Sequence, residues 1–103
     1  MRFALQTVCR AAAGTLSPEG VKALLAKGGQ LIDVRSPSEF LEHSLPGAIN
    51  LPVDSLCYEH RRLDHRRPVI VTGASKVRCV RAARLLAGKG FSRIYHLTAE
   101  FYQ

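Results

Sequence analysis

The 103-residue sequence contains no tryptophan, a single methionine and three cysteines. Cys9, Cys57 and Cys79 are odd in number and lie far apart, so the sequence indicates neither a disulfide framework nor a CxxC metal site. Free thiols are typical of proteins in a reducing compartment, and a cytoplasmic protein is therefore expected. No metal and no cofactor are predicted.

Long apolar runs are also missing. No stretch approaches the roughly 20 apolar residues that a membrane-spanning helix needs. The first thirteen residues carry an early arginine and an alanine patch, but Gln6, Thr7 and Arg10 interrupt any signal-peptide core. The sequence therefore predicts a protein that is neither exported nor inserted into a membrane.

Acidic residues are scarce. Fifteen Lys and Arg residues face eight Asp and Glu residues, which gives a formal net charge of +7. Aromatic residues do not interleave with the basic ones and no nucleic-acid-binding motif is present, so nucleic acid is not expected as a partner. The charge instead favours a small anion such as sulfate, thiosulfate or phosphate, or an acidic protein.

The elements of secondary structure alternate along the chain. Short apolar strands are separated by helices with polar starts and glycine ends, which predicts an α/β fold with a central, mostly parallel sheet and helices on both faces. We expect a segment 1–14 with a possible edge strand at Phe3–Val8, and one domain at 15–103. Strands are predicted at Gln30–Val34, Ala48–Leu51, Val69–Val71 and Ser92–Leu97, and helices from Ser17 to Gly28–Gly29, from Ser36, from Pro52 to about Arg62, and from Val77 to about Lys89.

The apolar residues of two of these helices predict which face is buried. Phe40 and Leu41 are expected to face inward, and Val77, Val80 and Leu85 are expected to face the sheet.

The segment Val69–Phe91 carries the strongest functional signal. It is typical of a buried strand, a polar loop and an amphipathic helix, an arrangement whose backbone N–H groups and helix dipole favour an anion. The predicted anion-binding loop comprises Gly73, Ala74, Ser75, Lys76, Val77 and Arg78.

Three stretches together resemble the rhodanese family of sulfurtransferases. They are LIDVRSPSEF at Leu31–Phe40, LPGAINLP at Leu45–Pro52, and VIVTGASKVRCVRAARLLAGKGFSRIYHL at Val69–Leu97. The resemblance covers nearly the whole chain from Thr15 and implies a three-layer rhodanese-like fold. It also implies sulfur transfer from thiosulfate or a persulfide to a thiol or cyanide.

The resemblance also exposes a missing nucleophile. In the family the loop begins with a catalytic cysteine and ends at an arginine, positions that correspond here to Gly73 and Arg78. Glycine cannot form the thiolate that carries sulfur. Lys76 stands where the family usually has glycine, and a Cβ there would strain the turn if the backbone had a positive φ.

Two interpretations of this altered loop remain. In the first, the domain lacks normal catalysis and binds an anion or a protein, with Gly73 as a turn glycine and Arg78 ordering the loop through backbone carbonyls or Asp33. In the second, Cys79 is a displaced nucleophile whose pKa the helix dipole lowers, although its side chain is expected to point away from the loop's centre.

Other charged residues receive structural interpretations. Asp33 and Arg35 are expected to form an ion pair or a capping contact at the end of a strand. The four histidines, which have no partner at ligand spacing, are assigned to the surface or to packing. Within Tyr58–Arg67, four arginines form either a solvated loop or a docking surface for an acidic protein: Arg61, Arg62, Arg66 and Arg67.

Overall fold

A computed structural model of the protein describes residues 18–73 and 75–97. Strands and helices alternate along these residues, as the sequence predicts. The strands are β1 (Gln30–Asp33), β2 (Ile49–Asn50), β3 (Val69–Thr72) and β4 (Ile94–His96). The helices are α1 (Pro18–Ala26), α2 (Pro37–Glu42), α3 (Leu56–Glu59) and α4 (Lys76–Gly88), with 3₁₀ turns at Val53–Ser55 and His60–Arg62 on either side of α3.

The four described strands form one parallel sheet in the order β2-β1-β3-β4. All residues of the two central strands, β1 and β3, are buried, because helices cover both faces of the sheet. Gln30 is paired with Val69 and Asp33 with Thr72, so the two strands end at the same level. The loops that follow them therefore meet at one edge of the sheet.

Alternate strand residues contribute to two separate cores. On one face Ile32 and Val71 pack with α4 and with the segment around Leu56. On the other face Leu31 and Ile70 pack with residues of α1. The expected three layers of helix, sheet and helix are thus confirmed.

Two helices end in the same glycine motif. After α1, Gly28 has φ +93° and the N–H of Gly29 donates to Leu24 O at 2.7 Å. After α4, Gly90 has φ +100° and the N–H of Phe91 donates to Leu86 O at 3.0 Å. Both are Schellman ends, which require a left-handed residue and so favour glycine.

Some predictions about helix faces are wrong. Leu41 was expected to face inward with Phe40, but it is 83% exposed. Val77 was expected to face the sheet, yet it is 69% exposed, and Val80 is only half-buried. The helix begins one residue earlier than predicted, and its buried face comprises Cys79, Ala82, Ala83 and Leu86. The predicted strand at Phe3–Val8 and the N-cap at Ser17 lie outside the described residues.

Candidate functional site

The candidate site lies where β1 and β3 end side by side. Open α/β sheets commonly hold their sites at the carboxyl ends of parallel strands. Here Asp33 is the last residue of β1 and Arg35 follows it, while Gly73 to Arg78 form the loop after β3 and the start of α4. Ala74 of the predicted anion-binding loop lies outside the described residues.

The loop after β1 is fixed by a buried ion pair. Arg35 Nε donates to Asp33 Oδ1 at 3.0 Å and Arg35 Nη2 donates to Asp33 Oδ2 at 2.9 Å, while the side chains are only 5% and 0% exposed. Arg35 Nη2 also donates to the carbonyl of His43. The amide of Asn50 donates to the carbonyls of both paired residues at 3.0 Å. The predicted structural role of the pair is confirmed.

Gly73 is buried, but it is not a turn glycine of the left-handed kind. Its φ lies outside the positive region, which among the described glycines is occupied by Gly28, Gly47 and Gly90. A Cβ at Gly73 would instead lie 3.1 Å from Val34 Cγ2 and 3.3 Å from Cys79 Sγ. The constraint that the structure shows at this position is therefore space rather than a positive φ, and the turn-glycine interpretation stays a prediction.

The Cys79 thiol occupies the space beside Gly73. The residue is 2% exposed and belongs to the core between the sheet and α4. Burial, followed by the negative charge of Asp33, raises the pKa of the Cys79 thiol to about 11. We had expected the helix dipole to lower this pKa. That prediction is wrong because removal from water disfavours the thiolate more strongly.

The start of α4 is unstrained. Ser75 is the N-cap, and its Oγ accepts a hydrogen bond from Arg78 N at 3.2 Å. Lys76 is the first helical residue, and no non-glycine residue among those described has a positive φ. The strain considered for Lys76 is thus absent. Lys76 and Val77 are both exposed.

Arg78 pairs with an acid that the sequence analysis did not single out. Its Nη1 donates to Glu39 Oε1 at 2.7 Å, across the gap between α4 and α2. Glu39 also accepts from Ser36 N at 3.0 Å as part of a capping box. These bonds lower the pKa of Glu39 to about 2. The bond from Ser36 N has the larger effect, and the bond from Arg78 follows. The expected loop-ordering role fits, but the partner is Glu39 rather than Asp33.

An open cleft of about 460 Å³ adjoins the segment after β1 and α4, and Arg78 is the only described residue of the predicted anion-binding loop that lines it. Arg81 of α4 contributes a second guanidinium group, and Ser55 and Tyr58 contribute hydroxyl groups. Asp54 also lines the cleft, and its Oδ1 lies 4.0 Å from Arg81 Nη2, at the limit of an ion pair. The remaining lining residues are Val34, Ser36, Pro37, Pro52 and Val53.

The basic segment after α3 is largely exposed, but three of its arginines have contacts within the chain. Arg62 Nη1 lies 3.1 Å from Glu59 Oε1, and Arg66 Nε lies 3.2 Å from Asp64 Oδ1. Arg67 Nε donates to Gly28 O at 2.7 Å. Docking of an acidic protein through Arg61, Arg62, Arg66 and Arg67 stays a prediction.

The histidines take packing or local roles. His96 is buried, and the pKa of its imidazole is lowered by burial and then by the charge of Lys76. The ring of His65 packs edge-on against Phe91 at 6.3 Å. Among residues 18–73 and 75–97, no group of His, Cys, Asp or Glu side chains is arranged to hold a metal ion. Within the same ranges, none of the helices has the length and apolar character to cross a membrane.

Residues 17–102 match the family described as the rhodanese-like domain. The chain belongs to the rhodanese-like family. It is 31% identical over 86 residues to the thiosulfate sulfurtransferase GlpE of Pseudomonas syringae, covering 84% of this chain and 81% of that protein. It is 37% identical over 87 residues to the uncharacterized protein YqhL of Bacillus subtilis, covering 84% and 68%. The crystal structure of reduced Bacillus anthracis CoADR-RHD superposes with a TM-score of 0.70 at 29% identity, covering 81% of this chain and 15% of that one.

Several residues of the candidate site could not be found from the sequence alone. The capping box at Ser36 and Glu39 has a readable pattern, but the pairing of Glu39 with Arg78 joins residues 39 positions apart. Tyr58 and Arg81 line the cleft only because α3 and α4 pack together. The local sequence carries no signal for such contacts.

Proposed function

We propose that this rhodanese-like domain does not perform ordinary sulfur transfer and instead binds a small oxyanion in the cleft beside the altered loop. The observation that carries the proposal is Gly73, which stands at the start of the loop after β3. Sulfur transfer of the rhodanese type needs an accessible thiolate at that point. A glycine offers no atom that could accept sulfur.

The cleft has the charge expected of an oxyanion site. Arg78 and Arg81 lie on one wall, and guanidinium groups match the planar or tetrahedral oxygens of sulfate-like anions. Arg78 is held by Glu39, so its position is fixed before any ligand arrives. The one carboxylate in the cleft, Asp54, has a side chain 92% exposed to water, which screens its repulsion.

Sulfur transfer is tested by incubating the protein with thiosulfate and cyanide. We expect no thiocyanate above the level of a heat-inactivated sample, and no added mass of one sulfur atom on the intact protein. The Gly73→Cys variant is the positive arm, because the backbone there has no positive φ and the new thiol lies at the family's cysteine position. Its Cβ would crowd Val34 and Cys79, so circular dichroism verifies that the variant is folded. Turnover by the unaltered protein would contradict the proposal.

Anion binding is tested by calorimetry with sulfate, thiosulfate and phosphate at low salt. Arg81→Ala should weaken binding at least about fivefold, since it removes one of two cations from the cleft. Arg84→Ala is the matched control, because this exposed arginine lies one helical turn further along α4 and does not line the cleft. If the two substitutions weaken binding equally, the anion is attracted by the basic surface in general and does not bind specifically in the cleft.

A second candidate function is sulfur transfer through Cys79. One observation favours it: Cys79 Sγ lies 3.3 Å from the position that a Cβ of residue 73 would take. Its burial and a pKa of about 11 oppose it, because little thiolate would form near neutral pH. Turnover that disappears in Cys79→Ser would establish this alternative.

The free thiols Cys57 and Cys79 accord with the proposal that the protein works in a reducing compartment such as the cytoplasm.

A further inference from the structure

The outer face of α4 carries a second concave surface, separate from the cleft. This groove has a volume of about 330 Å³ and is lined by Lys76, Val77, Val80, Arg81 and Arg84. All five residues belong to one helix, and only Arg81 also borders the cleft. We call this surface the α4 groove.

The floor of the α4 groove is apolar. Val77 is 69% exposed, and Val80, one turn later, is half-buried. A single exposed valine is ordinary, but two valines at helical spacing in a concave surface offer a seat for an apolar side chain. The volume of the groove suits one or two such side chains rather than a whole helix.

The rim of the α4 groove is uniformly basic. Lys76, Arg81 and Arg84 surround the valines, and α4 contains no acidic residue. Within the part of the chain that the structure describes, Lys76 and Arg84 pair with no carboxylate, and Arg81 approaches only Asp54, at 4.0 Å. In the segment after α3, by contrast, Arg62, Arg66 and Arg67 already have partners.

We propose that the α4 groove docks an acidic segment of a partner protein, with an apolar side chain of that segment seated between Val77 and Val80. Charge complementarity selects this occupant, since carboxylates beside the anchor would meet three cations. A second copy of this chain is disfavoured by its own net charge of +7. A nucleic acid would find no aromatic side chain in the groove on which to stack a base.

The proposal is tested with labelled model peptides and fluorescence anisotropy at low salt. The probe is a short peptide with one leucine flanked by glutamates, compared with a version in which serine replaces leucine and with an oligouridylate of equal charge. We expect the leucine peptide to bind best, with an affinity at least about tenfold higher than that of the serine peptide. A tenfold ratio corresponds to a difference of about 1.4 kcal/mol in binding free energy. No saturable binding, or tighter binding of the oligouridylate, would overturn the proposal.

Two substitutions locate the binding. Arg84→Glu reverses one rim charge and Val77→Asp makes the floor polar, and each should weaken the leucine peptide at least about tenfold. Both positions are exposed, so folding should survive, which circular dichroism and thermal unfolding verify. Lys22→Glu is the control, because this exposed lysine lies on α1, across the sheet from α4. Should Lys22→Glu weaken binding as much as Arg84→Glu, the α4 groove is not the site.

The same variants separate this surface from the cleft. Arg84 and Val77 do not line the cleft, so binding of sulfate should be unchanged in both variants. If the unaltered protein binds the leucine peptide but not sulfate, the peptide result supports the α4 groove. The lack of sulfate binding then contradicts only the proposed function, which is oxyanion binding in the cleft. A peptide that is displaced by sulfate from the unaltered protein would place the contact in the cleft and overturn the inference.

Discussion

The loops after β1 and β3 lie side by side at the same edge of the sheet, yet they are built in different ways. Where β1 ends, buried Asp33 and buried Arg35 form a bidentate ion pair. The loop after β3 begins at a residue without a side chain and continues into exposed Lys76 and Val77. The first loop holds its charges inside the fold, whereas the second presents them to solvent.

This difference separates the frame of the site from its chemistry. A buried ion pair is costly to break, so the Asp33–Arg35 contact constrains the backbone of its loop. The loop after β3 has an N-cap and cationic side chains, but its first residue has no side chain. Under the proposed function, the frame at the end of β1 is therefore intact although residue 73 offers no sulfur acceptor.

Breaking the frame should have the largest effect. Asp33→Ala leaves the buried guanidinium of Arg35 without its carboxylate, and we expect it to lower the free energy of unfolding by about 3–5 kcal/mol. Urea unfolding followed by circular dichroism measures the loss. Asp54→Asn, at a side chain 92% exposed, is the control and should change stability little. Similar losses for the two variants would remove the distinction between the loops.

The reactivity of Cys79 is the next test. With a pKa of about 11 rather than 9.0, the thiolate fraction near neutral pH falls roughly a hundredfold, so alkylation by iodoacetamide should be at least that much slower than in the unfolded chain. Exposed Cys57 serves as the internal control, with mass spectrometry of digested peptides as the readout. Because the folded state holds this proton more tightly, stability should decline as the pH rises from about 9 to about 11. Rapid alkylation of Cys79 at neutral pH would contradict this prediction and support Cys79 as the nucleophile of sulfur transfer.

Filling the space at Gly73 should have an intermediate effect. The Cβ of Gly73→Ala would meet Val34 Cγ2 at 3.1 Å and Cys79 Sγ at 3.3 Å, and such crowding costs about 1–2 kcal/mol. Cys79→Ala removes one of these contacts, so the double variant should be more stable than the sum of the single effects predicts. Urea unfolding of the four proteins in this cycle measures the coupling. Strict additivity would show that the two residues do not compete for space.

The half-buried ion pair of Glu39 with Arg78 should matter least. The depressed pKa of Glu39, about 2, means that its contribution to stability is complete above pH 4.5 and disappears as the pH falls through about 2. Glu39→Gln should remove this acid dependence, and Arg78→Ala should reduce it, with only small changes in the thermal midpoint at pH 7. Thermal unfolding between pH 2 and pH 7 measures both. An unaltered pH dependence in Glu39→Gln would assign the effect to other acids.

Much of the fold could be predicted from the sequence. Short apolar runs identified β1 and β3, and glycines followed the ends of α1 and α4 because only a left-handed residue closes a Schellman motif well. The phase of α4 was predicted incorrectly, because α4 is rich in alanine and arginine and its valines do not mark the buried side. Small Ala82 and Ala83 face the sheet, where close packing leaves no room for larger side chains.

The candidate site could be predicted only in part. The position of the loop after β3 and the absence of a side chain at residue 73 follow from the sequence. The state of Cys79 does not, because helix position alone predicts a lowered pKa and burial overrides it. The ion pair of Arg78 with Glu39 could not be predicted, since the two residues lie 39 positions apart in the sequence and only the fold brings their side chains together.

The sequence by itself determined the family, the parallel arrangement of strands and the lack of a side chain at residue 73, because these depend on residue types and their order. Only the tertiary structure decided which thiol is buried, which arginines are free to meet a ligand, and why residue 73 is crowded. Those properties depend on distances between residues that are far apart in the chain. Desolvation and close packing act across such distances, and the one-dimensional order of residues does not specify them.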